Sequence, residues 1–130
     1  MEQTKSLRID FHHHLSPPRH VAALKKVNLG NPLIHNWTPQ KSLEEMDKAG
    51  IKMALLAVTT PAVAFLNRDD ARRLARECNE YGAKLARDYP GRFGMFATLP
   101  MPYTQDSVKE IEYAFDSLAS DGICLMTSYG

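Results

Sequence analysis

The side chains with the most chemistry to offer stand together near the start of the sequence, in residues 8–18, RIDFHHHLSPP. His12, His13 and His14 are consecutive, and Asp10 lies two residues before them. Along a strand, side chains alternate between faces, so His12 and His14 share one face and His13 takes the other. Two imidazoles placed this way can reach one divalent metal. Neutral imidazole is the commonest metal ligand, and zinc, manganese and iron all accept it. A catalytic metal usually takes about three protein ligands and keeps one position open. His12 and His14 supply two. A bare His-x-His pair is equally what a solvated or hydrogen-bonded strand end carries. Its position favours the functional alternative, because parallel α/β folds bind ligands at the carboxyl ends of their strands.

Four short apolar runs read as strands, at residues 7–14, 52–60, 92–100 and 122–130. The last three are almost continuously hydrophobic, as strands covered on both faces are. Helical patterns separate them. Residues 17–27 open on two prolines suited to a first helical turn. In residues 38–50, Ser42 and Glu45 have capping-box spacing and Gly50 can close the helix. Over residues 67–91, Ala71, Leu74, Ala75, Cys78, Tyr81, Gly82, Leu85 and Ala86 recur at three-and-four spacing, Asp69 and Asp70 favour the helix start, and Pro90-Gly91 stops it. Residues 104–122 repeat this logic, with Val108, Ile111, Phe115 and Leu118 as the buried stripe. Strands alternating with helices imply parallel crossovers and an α/β fold. No domain boundary interrupts the pattern, and the loosest stretch is residues 28–39, NLGNPLIHNWTP.

The other strand ends place hydroxyls at the same rim: Thr59 and Thr60 after the second strand, Thr98 in the third, Thr127 and Ser128 in the fourth. Each alone is what a turn favours; together they form a pocket wall and candidate substrate contacts. Trp37, in the long loop, is a candidate aromatic lid or an exterior packing residue, with Phe65 and Tyr129 behind it. Lys41 reads as a solvated helix-start lysine, with pairing to a substrate carboxylate as its alternative, and Met53, Met95 and Met101 as packing.

The totals exclude several classes. The chain has 130 residues, 44% hydrophobic and 24% charged, which suits one domain with a real core. Sixteen basic residues against fifteen acidic ones give a net charge of +1, so nothing argues for nucleic acid or an anionic membrane. No run approaches the ~18 apolar residues of a membrane span. Residues 1–10 are polar, unlike a secretory leader, so Cys78 and Cys124 are expected as free thiols in a cytoplasmic protein. A flavodoxin-like domain would need a glycine-rich phosphate loop where HHHLSPP stands.

Ile9, Asp10, His12 and His14 with Pro17 resemble the opening of the amidohydrolase superfamily. Further phrases extend the resemblance over nearly the whole chain: WTP at 37–39, SLEEMDKAGI at 42–51, RDDARRLARECNEYGAKL at 68–85, YPGRFGMFATLPMP at 89–102 and LASDGICLMTSYG at 118–130. They are most similar to the branch of metal-dependent aromatic-acid decarboxylases that includes the aminocarboxymuconate-semialdehyde, resorcylate and 6-methylsalicylate enzymes. The resemblance implies a (β/α)8 barrel, with residues 1–130 as its N-terminal portion of about four strands. It implies that His12 and His14 bind a divalent metal, zinc foremost and manganese second, and that Asp10 supports the site from behind. It implies a small aromatic carboxylic acid as substrate, nonoxidative decarboxylation as reaction, and a homo-oligomer at full length. The family's other metal ligands are a fifth-strand histidine and an eighth-strand aspartate, the latter also its proton-donor candidate, and a further histidine comes from the sixth strand, all beyond residue 130. His20 and His35 fall in helix and loop and cannot replace them. The chain by itself is therefore expected to be incomplete and inactive. A hydrolase of a lactone or amide, and a non-catalytic α/β association module, are the competing readings.

Overall fold

The computed structural model describes residues 7–129. Its elements follow the order β1 (Arg8–Leu15), α1 (Pro18–Lys26), α2 (Pro32–His35), α3 (Pro39–Ala49), β2 (Ile51–Val58), α4 (Arg68–Asp88), β3 (Phe93–Thr98), α5 (Thr104–Asp116) and β4 (Gly122–Cys124). The strands form one sheet in the order β1-β2-β3-β4, with every neighbouring pair parallel. Sequential parallel strands joined through helices are the first half of a (β/α)8 barrel, as the sequence led us to expect.

The sheet's helix-facing side carries the core. Leu15, Ala54, Leu56, Val58 and Phe93 pack with Met46 of α3 and with Ala71, Leu74, Ala75, Cys78 and Leu85 of α4. The α4 stripe is as its spacing predicts, with Tyr81 and Ala86 only half-buried. Asn67 caps its start, accepting from the Asp70 N–H. On the opposite side of the sheet, Met53, Leu55 and Phe96 are half-buried, so β2 and β3 are not covered equally on both faces.

Three local expectations are corrected. The cap of α3 is Thr38, whose hydroxyl accepts from Lys41 N–H, with Pro39 in the first turn. Ser42 lies a full turn inside the helix, is buried, and bonds elsewhere. Gly50 does close α3, at φ 67. In α5, Val108 and Phe115 are exposed, while Asp106, Ser107, Glu110 and Ala114 are buried. The physical reason is the partner helix. Arg68 of α4 bonds Asp106 at 2.6 Å, and Arg76 bonds Glu110 at 2.8 Å, so the polar stripe of α5 finds its counter-charges on the neighbouring helix. The fourth strand ends at Cys124, not at the end of the chain; Thr127 and Ser128 lie past it, and Gly130 is outside the described residues. The loop at 28–39 contains the short helix α2, which Asn31 caps by accepting from the Leu33 and Ile34 N–H groups.

Candidate metal and substrate site

Strand β1 is not regular where the histidines stand. Asp10 pairs with Ala54 and His13 with Leu56, so three steps of β1 oppose two of β2. This bulge re-aims side chains. It brings Asp10 beside His13, three residues on, with Asp10 Oδ2 3.0 Å from His13 Nδ1. Simple alternation would have grouped Asp10 with His12 and His14.

His12 and His14 remain together. Their rings meet edge to face, with centroids 5.2 Å apart, and both side chains are exposed. His14 Nδ1 lies 3.1 Å from the Ala57 carbonyl oxygen. A carbonyl only accepts, so Nδ1 carries the proton and Nε2 keeps its lone pair for another partner. That is how metal-binding histidines are normally fixed. The donor set therefore fits a divalent metal as two of its ligands. No group of three or more His, Cys, Asp or Glu side chains suited to a metal occurs among the described residues.

His13 packs the other way, against α3. Its Nε2 is 2.8 Å from Ser42 Oγ, and Trp37 Nε1–H donates to the same oxygen at 2.8 Å. Asp10 reaches the pair through the backbone, accepting the His12 N–H at 3.0 Å. The hydrogen bond from His13 holds the Asp10 carboxyl below the ordinary carboxylate range, partly opposed by burial. Beside these groups opens a cavity of about 610 Å³ whose walls include His14, Trp37, Leu33 and Lys41. Trp37 is thus half-buried at a cavity shared with His14. Lys41 Nζ donates to the Asn36 carbonyl at 2.5 Å.

The rim hydroxyls differ in exposure. Thr59 and Thr60 follow β2, half-buried and exposed respectively; Thr127 and Ser128 are exposed beyond β4. Thr98 ends β3 and is 2% exposed. Its backbone is clamped by Asn79 of α4, whose amide accepts from Thr98 N–H at 2.8 Å and donates to Thr98 O at 2.9 Å. The same amide donates to Glu110 at 2.9 Å. None of these hydroxyl residues lines the cavity beside His14. His35 bonds the Leu29 carbonyl. His20 is fully buried, its Nε2–H donating to Ala62 O at 2.7 Å, and burial holds its pKa below the ordinary histidine value.

The sequence suggested only a capping role for Ser42 and no role for Asn79. Both had a signal. Ser42 lies four residues before Met46 and Asn79 four after Ala75, so each belongs to a buried helical face on which a polar residue needs a partner.

Comparison with known proteins gives the lineage. The amidohydrolase family model matches residues 9–130. The decarboxylase yanB of Aspergillus niger is 41% identical over 94% of this chain and 35% of its own length. The 6-methylsalicylic acid decarboxylase of Penicillium expansum is 35% identical over 95% of this chain and 39% of its own. The chain thus spans well under half the length of these curated relatives. A crystal structure described as an amidohydrolase superposes with a TM-score of 0.83 at 36% identity, covering 89% of this chain and 39% of that one. A dihydroxybenzoic acid decarboxylase from Polaromonas, with bound manganese and the inhibitor 2-nitroresorcinol, shares the fold with a TM-score of 0.77 at 22% identity, covering 91% of this chain and 37% of that one. Fold and family match agree, and the chain belongs to the amidohydrolase family.

Proposed function

We propose that this chain supplies the first part of the active site of a metal-dependent, nonoxidative decarboxylase acting on a small aromatic carboxylic acid. The observation that carries the reading is the pair His12 and His14 on one face of the strand end, with His14 Nδ1 committed to Ala57 O and Nε2 left available. The relatives support the chemistry: two of them, 35–41% identical across nearly all of this chain, are named decarboxylases. His12 and His14 would hold a divalent metal, zinc or manganese, as two of its ligands. Such a metal supplies Lewis acidity and a template for a carboxylate and a neighbouring hydroxyl.

The chain's own residues do the rest of what can be assigned to it. The Ala57 carbonyl fixes the tautomer and plane of His14. Trp37 presents an aromatic wall to the cavity beside His14, where a planar substrate finds stacking area. Lys41 lines the same cavity together with Glu44 and Glu45, its ammonium held by the Asn36 carbonyl. Thr98, held by Asn79, belongs to the rim of the same reading, as do Thr59, Thr60, Thr127 and Ser128. The cytoplasm is the compartment it implies, compatible with Cys78 and Cys124 as free thiols.

The test is product analysis on the protein purified from its own cells, offered 6-methylsalicylate and dihydroxybenzoates. Release of CO2 with the decarboxylated phenol is expected. Hydrolysis of lactones or amides without CO2 release would replace this reading with the hydrolytic one.

A further inference from the structure

Four side chains around β1 are joined end to end by hydrogen bonds. Trp37 Nε1–H can only donate, so Ser42 Oγ accepts it at 2.8 Å. Ser42 has one proton left, and His13 Nε2 is 2.8 Å away. Asp10 accepts at Oδ2 from His13 Nδ1–H at 3.0 Å, and with a single ring proton on Nδ1 the other nitrogen, Nε2, accepts from Ser42. Asp10 Oδ1 accepts the His12 backbone N–H at 3.0 Å. Every member of the chain has a partner at each end that faces another member. Ser42 is 4% exposed and His13 and Trp37 are half-buried, so water competes weakly for these bonds.

We infer that Trp37, Ser42, His13 and Asp10 form one relay that sets the aromatic wall of the cavity and the histidine strand in register with each other, with His13 as its positioning residue. The relay ends on the bulge, the local backbone shape that places Asp10 beside His13 while His12 and His14 keep a common face. Trp37 begins it and borders the cavity that His14 also borders. The His13 ring bonds neither the Trp37 indole nor the His12 amide itself; its hydrogen bonds go to Ser42 and Asp10, and it acts through them. The consequence for a metal rests on the reading of His12 and His14 as ligands. The relay itself does not.

Exchange of the Trp37 indole N–H with water, read by NMR on the metal-free full chain, tests this. The resonance is assigned by its loss in Trp37→Phe. His13→Leu keeps the volume of the ring and removes both of its hydrogen bonds; His13→Gln can still accept from Ser42. The relay requires His13→Leu to accelerate the exchange about tenfold, the scale of one lost hydrogen bond, and His13→Gln to restore it substantially. If His13 serves only as packing, Leu preserves slow exchange, and that result overturns the relay. Circular dichroism confirms that each variant is folded, and Ser42→Ala provides a second route to the same acceleration. Titration with zinc alone then separates the two readings. A zinc-induced shift of the Trp37 resonance in the wild type that vanishes in His13→Leu extends the relay to the metal. The same shift persisting in His13→Leu overturns it. No zinc binding to the wild type removes the metal reading, while the exchange rates still decide the relay.

Discussion

Asn79→Ala is the substitution whose cost the structure fixes best. The Asn79 amide makes three hydrogen bonds, to Thr98 N–H, Thr98 O and Glu110, at 2.8–2.9 Å. Its partners cannot turn to water: Thr98 is 2% and Glu110 3% exposed. A buried group stripped of its partner loses about 1–3 kcal/mol. Thr98 would lose a partner on both backbone groups. Glu110 keeps Arg76 at 2.8 Å, so its share is smaller. The total is about 3 kcal/mol, a large fraction of the ~5–15 kcal/mol that holds a domain together. In urea unfolding, with a slope of about 1.5 kcal/mol/M, the midpoint should fall by roughly 2 M. Asn79→Asp is the control. It can still accept from Thr98 N–H, but it turns both donor positions into acceptors facing Thr98 O and the Glu110 carboxylate. Asn79→Asp should be at least as destabilised as Ala at neutral pH and should recover on acidification. An Asn79→Ala protein within about 0.5 kcal/mol of wild type would refute the reasoning, because water or a rearranged Glu110 would then be replacing the clamp.

Other consequences are equally open to measurement. His20 is buried with Nε2–H on Ala62 O and no partner at Nδ1, and desolvation outweighs that bond in lowering its pKa. The unfolded chain therefore takes up a proton first as pH falls below about 6.5. Melting temperature should drop as pH falls from 7 toward 5, and His20→Gln should flatten that slope; an unchanged slope would mean that other groups carry it. The Asp106 carboxyl, held low by the Arg68 guanidinium, contributes stability that is present above the ordinary aspartate range and lost as acid protonates it through its lowered pKa. Asp106→Asn should reduce that acid sensitivity in a pH series of thermal melts. Gly94→Ala would place a Cβ 2.5 Å from both Asp121 Oδ2 and Leu55 Cδ2, disturbing the carboxylate that accepts Met95 N–H. A loss of about 1–3 kcal/mol is expected by chemical denaturation.

The elements were legible in the sequence wherever one side chain's surroundings lie within its own helix or strand. The stripe of α4 is such a case, because three-and-four spacing alone decides which face meets the sheet. The stripe of α5 is the opposite case. Val108 and Phe115 have the right spacing, but Arg68, Arg76 and Asn79 come from another helix and make the polar face the buried one. The site divides along the same line. The shared face of His12 and His14 follows from strand alternation, and the rings do meet. The bulge does not follow, since register belongs to a pair of strands, and with it went the position of Asp10 and the role of His13. Ser42 carried the spacing of a cap, yet Thr38-Pro39 supplies a better start one turn earlier and frees Ser42 to bond Trp37 and His13. Thr127 and Ser128 fall outside the sheet because the fourth strand has only three residues and ends at Cys124.

The central claim is that His12 and His14 hold a divalent metal. Its most direct test is the metal content, by elemental analysis, of the protein purified from its own cells without chelators, compared with its His12→Ala and His14→Ala variants. The account predicts zinc or manganese bound stoichiometrically in the wild type and lost from both variants while their circular dichroism is unchanged. Full metal retention in both folded variants, or a wild type that carries none and takes up none on addition, would contradict it.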